Sequence, residues 1–176
     1  MNKGVTVYEH TRIEGQQNIE FGIYVLIDDF VFLIANTTMR IGSHTHIGMF
    51  TSIVANEAPF GMGDCSSIAA GCRIFTSTDD LAGNAFGNPT VNKKYRSIKN
   101  GPITIDRLAI IGANSVILPN VHIGEGTVVG AGSVVTKNLD PWGVYIGNKR
   151  IKDRSKDQIL DIYDNFLIEN NYKKKV

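Results

Sequence analysis

The chain has 176 residues, a length typical of one domain. Its 18 lysine and arginine residues nearly balance 17 aspartate and glutamate residues, so the net charge of +1 does not favour nucleic acid or an anionic membrane. The most apolar stretch, 21–35, is interrupted by Asp28 and Asp29, well short of the ~20 residues that a membrane-spanning helix needs. The first residues lack the apolar run of a signal peptide, and we expect Cys65 and Cys72 to be buried, reduced thiols. Together these features predict a cytoplasmic protein.

Apolar residues recur every six positions through the first half of the chain. Six is a multiple of the strand period of two, so such side chains can all point the same way from short extended segments. The spacing does not suit a helix, because six helical residues turn through about 600°. A fixed short repeat of this kind predicts stacked coils, that is, a β-solenoid. The positions form three runs: Ile13, Ile19, Val25 and Val31; Ile41, Ile47 and Ile53; Met62, Ile68 and Ile74.

A non-repeating stretch, from about 76 to 102, separates this half from the next. Its central part, 79–96, is polar and rich in turn-forming residues, which predicts a structureless loop that protrudes from the solenoid. Loops of this length in compact domains usually serve a function.

The repeat then resumes as the most regular part of the chain. Small residues follow several of its apolar positions, and the ladder consists of Ile105, Ile111, Ile117, Ile123, Val129 and Val135. We therefore expect an all-β solenoid domain over 1–152. The remainder, 153–176, is expected to be a capping helix and a frayed tail, because apolar residues from Ile159 to Leu167 follow helical spacing and 155–158 resembles a capping box. Such a helix would cover the open rim of the solenoid.

The ladder also carries a resemblance to a known family. Residues 111–137, which read IGANSVILPNVHIGEGTVVGAGSVVTK, resemble the hexapeptide-repeat acyltransferases of the sugar O- and N-acetyltransferase type. The resemblance implies a left-handed parallel β-helix with three flat faces and roughly six coils. It also implies a homotrimer, with acetyl-CoA bound between subunits as co-substrate and the 76–102 loop reaching toward a neighbour.

Acyl transfer requires a base for the nucleophile, donors for the oxyanion and a slot for the pantetheine arm. In the galactoside and maltose subgroup of this family a loop histidine is the base, but the matching stretch 75–80 of this chain has none. We therefore predict His46 as the catalytic base, placed at a corner just before the inward Ile47. His44 remains the alternative base. We expect Asp79 or Asp80 to place a carboxylate beside the imidazole. The expected substrate-binding residues are His44, Ser67, Asp79, Asp80, Tyr95 and Arg96.

The donor site follows from the resemblance and from simple chemistry. Small side chains would leave the backbone open to the pantetheine arm, and cations near the C-terminal end would bind the phosphates. The family's closing motif appears here as Gly147-Asn-Lys-Arg150, without its usual Pro-Ala. The predicted cofactor-binding residues are Gly112, Ala113, Gly130, Ala131, Gly132, Thr136, Lys137, Lys149, Arg150, Lys152 and Arg154.

Three functions remain open at this point. The favoured one is an acetyl-CoA-dependent acetyltransferase that acts on a hydroxyl or amino group of a sugar or nucleotide-linked sugar, in surface polysaccharide synthesis. A non-catalytic solenoid scaffold would retain the ladder without needing the loop or the basic residues. A γ-type carbonic anhydrase shares the fold, but His44 and His46 are two apart and no third histidine lies one coil away, so no metal site is expected.

Overall fold

The computed structural model describes residues 4–80, 82 and 84–172. Its short strands form three parallel sheets, which are the three faces of a solenoid. Face 1 consists of Thr6–Val7, Leu26–Ile27, His46–Ile47, Ser67–Ile68, Ile110–Ile111, Val128–Val129 and Gly143–Ile146. Face 2 consists of Arg12–Glu14, Phe32–Ala35, Ser52–Ala55, Arg73–Phe75, Val116–Ile117 and Val134–Val135. Face 3 consists of Ile19–Phe21, Met39–Ile41, Phe60–Met62, Ile103–Ile105 and Val121–Ile123.

The six-residue ladder forms the core. All six positions from Ile105 to Val135 are at most 1% exposed, and they stack in register on the equivalent residues of the coils before them. Alternation explains this arrangement, because each strand turns one side chain inward and its neighbours outward. The predicted all-β solenoid with a protruding loop and a C-terminal helix is confirmed, with about seven turns where the resemblance implies six.

The corners between faces require tight backbone turns. At the corner from face 3 to face 1, Tyr24, His44 and Cys65 all adopt left-handed backbone conformations with φ of 54–55°. Close stacking also demands small residues beside face 1: a Cβ on Gly112 would lie 2.5 Å from the backbone nitrogen of Ala131. This glycine is therefore required by coil stacking itself, whatever it contributes to binding.

The protruding loop leaves the corner between faces 2 and 3. Its base is ordered, because Ser77–Asp79 pairs antiparallel with Ile98–Asn100, and a 3₁₀ turn covers Lys93–Tyr95. A second 3₁₀ turn, Gln16–Asn18, precedes face 3 in the first coil. The expectation of a structureless loop is therefore wrong at its base.

The C-terminal helix, α1, spans Lys156–Glu169. It runs along the corner between faces 3 and 1, where Phe166 meets His44, so it covers a side of the solenoid rather than its open rim. The rim of face 1 is covered instead by an antiparallel strand, Lys149–Asp153. Ser155 is the N-cap residue but its side chain makes no capping hydrogen bond, so the predicted capping box is wrong. Within the described residues, no helix is both long and apolar enough to cross a bilayer. The predicted frayed end, 173–176, lies outside those residues.

Candidate active site

His46 lies on the outer surface of face 1. It belongs to the strand His46–Ile47, and because Ile47 points into the core, the imidazole points outward. Ser67 lies directly beside it on the next coil, as the register predicts, and Leu26 lies on the coil before. The expected corner position is wrong, since the histidine stands on a flat face.

A carboxylate accompanies this imidazole. The Nε2 atom of His46 lies 3.0 Å from Oδ2 of Asp28, with side chains 43% and 23% exposed. When Nε2–H donates to Asp28, Nδ1 is the unprotonated nitrogen and can accept a proton. Asp28 follows the inward Ile27 on the preceding coil, and its side chain reaches across to His46 on the next coil. The expected partners Asp79 and Asp80 do not contact His46 of the same chain, since they pair with Arg96 and Lys99.

His44 has a different environment. Its ring stacks on Tyr24 with centroids 5.0 Å apart and meets Phe166 edge-on at 4.9 Å. Its Nε2 lies 3.2 Å from the hydroxyl of Tyr172. These contacts place His44 beneath the C-terminal helix, so its proposed roles as alternative base and substrate contact are not supported by its position.

The two loop carboxylates, Asp79 and Asp80, each form an ion pair with a basic side chain of the loop. The guanidinium Nη2 of Arg96 donates to Asp79 across 3.0 Å, and Lys99 Nζ lies 2.8 Å from Asp80. The hydrogen bond from Lys99 lowers the pKa of Asp80 below its ordinary value. Because the corner between faces 2 and 3 is opposite face 1, neither carboxylate reaches His46 of the same chain.

The loop also forms an open depression of about 670 Å³. Two predicted substrate-binding residues, Tyr95 and Arg96, line it together with Phe86 and Lys94. The phenol ring of Tyr95 is largely exposed there, and Lys94 Nζ lies 4.8 Å from its centroid.

The predicted donor residues separate into two groups. The small residues Gly112, Ala113, Ala131 and Gly132 line the corner between faces 1 and 2. Near the end of face 2, the side-chain oxygen of Asn148 accepts a hydrogen bond from the backbone N–H of Thr136, and its side-chain nitrogen donates one to the Thr136 hydroxyl. Lys137 follows directly and is exposed, as are Lys149 and Lys152.

Two arginines of the basic group have structural partners. Arg154 donates to the carbonyls of Leu108 at 2.7 Å and Gly126 at 2.9 Å, and burial lowers its pKa. This arginine joins the start of α1 to the coils through Nη1 of its guanidinium, and its role as a phosphate ligand stays a prediction. Arg150 pairs with Asp153 on its own strand, and this hydrogen bond raises its pKa.

An aromatic stack marks the corner between faces 1 and 2. Phe30 and Phe50 stack 5.2 Å apart and are both largely exposed, and His10 stacks on Phe30 at 5.1 Å. Exposed Leu26 and Phe32 flank this stack on the two faces. Sequence reading missed this surface, because its residues follow the corners and not the inward ladder.

Metal ligands do not converge in the described ranges, where no group of three or more His, Cys, Asp or Glu side chains could hold an ion. His122 lies on the outside of face 3, with Nε2 2.8 Å from Oδ2 of Asp106.

Comparison with known proteins agrees with this architecture. Residues 102–137 match the family described as bacterial transferase hexapeptide (six repeats). The dTDP-4-amino-4,6-dideoxy-D-glucose acyltransferase of Escherichia coli is 32% identical over 159 residues, which are 89% of this chain and 82% of that protein.

Solved structures give the same result. One is AntD, an N-acyltransferase from Bacillus cereus, in complex with dTDP and 3-hydroxybutyryl-CoA. It is 35% identical to this chain, with a TM-score of 0.90, and the match covers 96% of this chain and 89% of AntD. A hexapeptide-repeat acetyltransferase from Vibrio cholerae is 26% identical with a TM-score of 0.62, over 77% of this chain and 75% of its own. The chain belongs to the hexapeptide-repeat acyltransferases of the sugar-modifying type.

Proposed function

We propose that this protein transfers an acetyl group from acetyl-CoA to the amino group of a nucleotide-linked amino sugar. The observation that carries the proposal is the His46–Asp28 pair on the open face 1, the same face that leads into the small-residue corner predicted to receive the pantetheine arm. The relatives add support, because their names describe acyl transfer to a dTDP-linked amino sugar. A hydroxyl acceptor is the alternative that the sequence leaves open.

The chemistry follows from the arrangement of the pair. Asp28 accepts the Nε2–H hydrogen bond and so holds the imidazole with Nδ1 unprotonated. Nδ1 removes a proton from the acceptor as its nitrogen or oxygen attacks the thioester carbonyl. Backbone N–H groups facing the developing oxyanion would stabilise the tetrahedral intermediate, which collapses with release of the CoA thiolate. The thiolate then takes the proton from the imidazolium.

We infer that three chains form the active enzyme. The aromatic stack of Phe30 and Phe50, with exposed Leu26 and Phe32 beside it, is an apolar surface that a second copy of the chain would bury. The loop leaves the side opposite face 1, so a neighbouring chain can bring its Asp79 and Arg96 to the His46 of the first. Sedimentation velocity should give a trimer, and Phe50→Asp should dissociate it with loss of activity. A stable, active monomer would contradict the inference.

The donor would lie along the corner between faces 1 and 2, with its phosphates near Lys137 and Lys149. Both lysines are exposed at the C-terminal end, where the described residues also include Lys152. We also propose that the reaction takes place in the cytoplasm, during synthesis of a surface polysaccharide that supplies such an acceptor.

The function is tested with purified protein and two donors, acetyl-CoA and 3-hydroxybutyryl-CoA. Acceptors are dTDP- and UDP-linked amino sugars, their hydroxyl counterparts and the free sugars. We expect thiol release and an N-acylated product by mass spectrometry only with a nucleotide-linked amine, and faster turnover with acetyl-CoA. Acylation of a hydroxyl counterpart alone would replace the amine with the alternative acceptor. No turnover with any acceptor, in a protein that trimerises and binds CoA, would favour the scaffold.

A further inference from the structure

An open groove lies between α1 and the corner that joins faces 3 and 1, and the proposed reaction gives it no role. Its wider part measures about 350 Å³ and its narrower part about 200 Å³. Both parts are lined by His44, Cys65, Tyr163 and Phe166. Leu108, Ile159 and Ile162 add aliphatic walls to the wider part. The groove is therefore elongated and mostly apolar, which suits a ligand with a chain-like apolar body.

One strong cation lines the wider part of this groove. Arg154 uses Nη1 to donate to the carbonyls of Leu108 and Gly126, and its Nε and Nη2 atoms take no part in these two bonds. No carboxylate of the described residues pairs with the guanidinium, and burial lowers its pKa. The edge formed by Nε and Nη2 is the one through which a guanidinium binds a carboxylate with two parallel hydrogen bonds. The groove thus holds a partly desolvated positive charge that an anion would compensate.

The opposite end of the groove carries a negative charge. Asp64 lines the narrower part, where its Oδ1 accepts a 2.7 Å hydrogen bond from the backbone N–H of Ser43. Arg154 lines the wider part, and in the described residues no lysine or second arginine lines it with Arg154. The two ends therefore give the groove a direction, with an anionic head group favoured at Arg154 and repelled at Asp64. A single guanidinium matches the single charge of a carboxylate.

We propose that this groove binds a carboxylate with an unbranched aliphatic body, such as octanoate, with its head group on Arg154 and its chain against Cys65 and Phe166. The inference does not depend on the proposed function. The groove lies at the corner between faces 3 and 1, whereas the donor is placed at the corner between faces 1 and 2. A ligand bound here bridges α1 and the coils, so it should raise the melting temperature of the protein.

Cys65 provides the reporter for a binding experiment. The chain has two cysteines, and the other one, Cys72, is 0% exposed, whereas Cys65 is half-buried in the groove. The rate at which iodoacetamide alkylates Cys65 is measured by intact mass spectrometry on the full-length protein. We expect octanoate to slow this reaction until it saturates. Octanol, which lacks the charge, should require a concentration about 10- to 150-fold higher, the usual value of a hydrogen bond to a charged group. Acetate, which lacks the chain, should give no protection.

Two variants test the two parts of the site. Arg154→Met should raise the octanoate concentration required by the same factor and leave that of octanol unchanged. Because this variant is expected to be less stable, Ile162→Asp provides a second test. It places a negative charge in the groove wall at a position that is 65% exposed, so octanoate should bind more weakly while the melting temperature stays close to wild type. Phe86→Asp is the matched control, because Phe86 is 62% exposed in the protruding loop. Melting temperatures show that each variant folds.

Equal protection by octanoate and octanol would overturn the inference, as would the absence of protection by octanoate in the wild type. Protection by CoA and not by octanoate would also overturn it, and would support Arg154 as a phosphate ligand. Failure of the proposed function is seen separately, as absence of turnover in the acylation assay.

Discussion

His44 and His46 stand two residues apart, yet the corner and the face that hold them have different roles. At the corner, His44 adopts a left-handed backbone and lies among Tyr24, Phe166 and Tyr172 under α1. On the face, His46 is open to solvent and paired with a carboxylate. The corner between faces 3 and 1 thus holds the chain to its own helix, while the flat face 1 is open to a partner molecule. The predictions below test this separation.

The largest expected effect concerns the face. His46→Ala should lower turnover by roughly 10²–10⁴-fold, the usual contribution of a positioned base. The melting temperature should change little, because the side chain is outward and outside the aliphatic core. Steady-state kinetics with the identified acceptor and a thermal melt measure both quantities. Near-normal turnover would mean that His46 is not the base and that Asp79 or the substrate itself accepts the proton.

The next effect concerns the attachment of α1 at the corner. Arg154→Met leaves the carbonyls of Leu108 and Gly126 without their donor, so the free energy of unfolding should fall by about 2–3 kcal/mol. The KM for acetyl-CoA should stay constant. Arg40→Met is the control, because Arg40 is exposed, pairs only with Glu20 among the ion pairs of the described residues and lies on face 3, outside the predicted donor site. A raised KM without loss of stability would support Arg154 as a phosphate ligand.

His44→Ala provides the direct counterpart to the variant on the face. It removes a ring that touches three aromatic residues, so we expect a loss of about 1–2 kcal/mol in the free energy of unfolding. Turnover should remain within a small factor of wild type. Urea unfolding and kinetics on the same samples check both. A large loss of turnover in a stably folded variant would place His44 in the active site.

The smallest effect is expected in the loop. The hydrogen bond from Lys99 lowers the pKa of Asp80 in the folded state. The contact therefore stabilises the fold at any pH above the pKa that Asp80 has in the unfolded chain. This stabilisation disappears as the pH falls through the lowered pKa of the folded state. Lys99→Met should therefore melt slightly below wild type near neutral pH and like wild type in strong acid. Because Lys99 is exposed, salt should shrink the difference. Melts across pH at two salt concentrations provide the measurement, and a difference that grows in acid would contradict it.

The core could be predicted from sequence because burial imposes one rule at every coil. An inward residue every six positions identified Ile111 and Val135 without knowledge of the corners. The site needed the register between coils, and coil length varies: 46 − 26 = 20 residues from Leu26 to His46, 67 − 46 = 21 to Ser67, but 128 − 110 = 18 from Ile110 to Val128. These additional residues decide which side chain stands beside which.

This variation explains what was found and what was missed. Ser67 was placed beside His46 because it lies one residue before Ile68, as His46 lies before Ile47. Asp28 was missed because it comes from the preceding coil and leans across the strand toward the histidine. Arg154 resembles any other charge of a basic segment, and only the fold shows that it meets two corner carbonyls. Contacts made by one residue outside the ladder carry no periodic signal.

Chemical rescue of His46→Ala tests most directly the claim that His46 removes the proton. Turnover of the variant at saturating substrates should be low, and added imidazole should restore part of it, because a small free base can take the place of the missing side chain. The wild type should not respond to imidazole. Low turnover with no response to imidazole, or near-normal turnover without it, would contradict the account, because the proton would then be removed by another group.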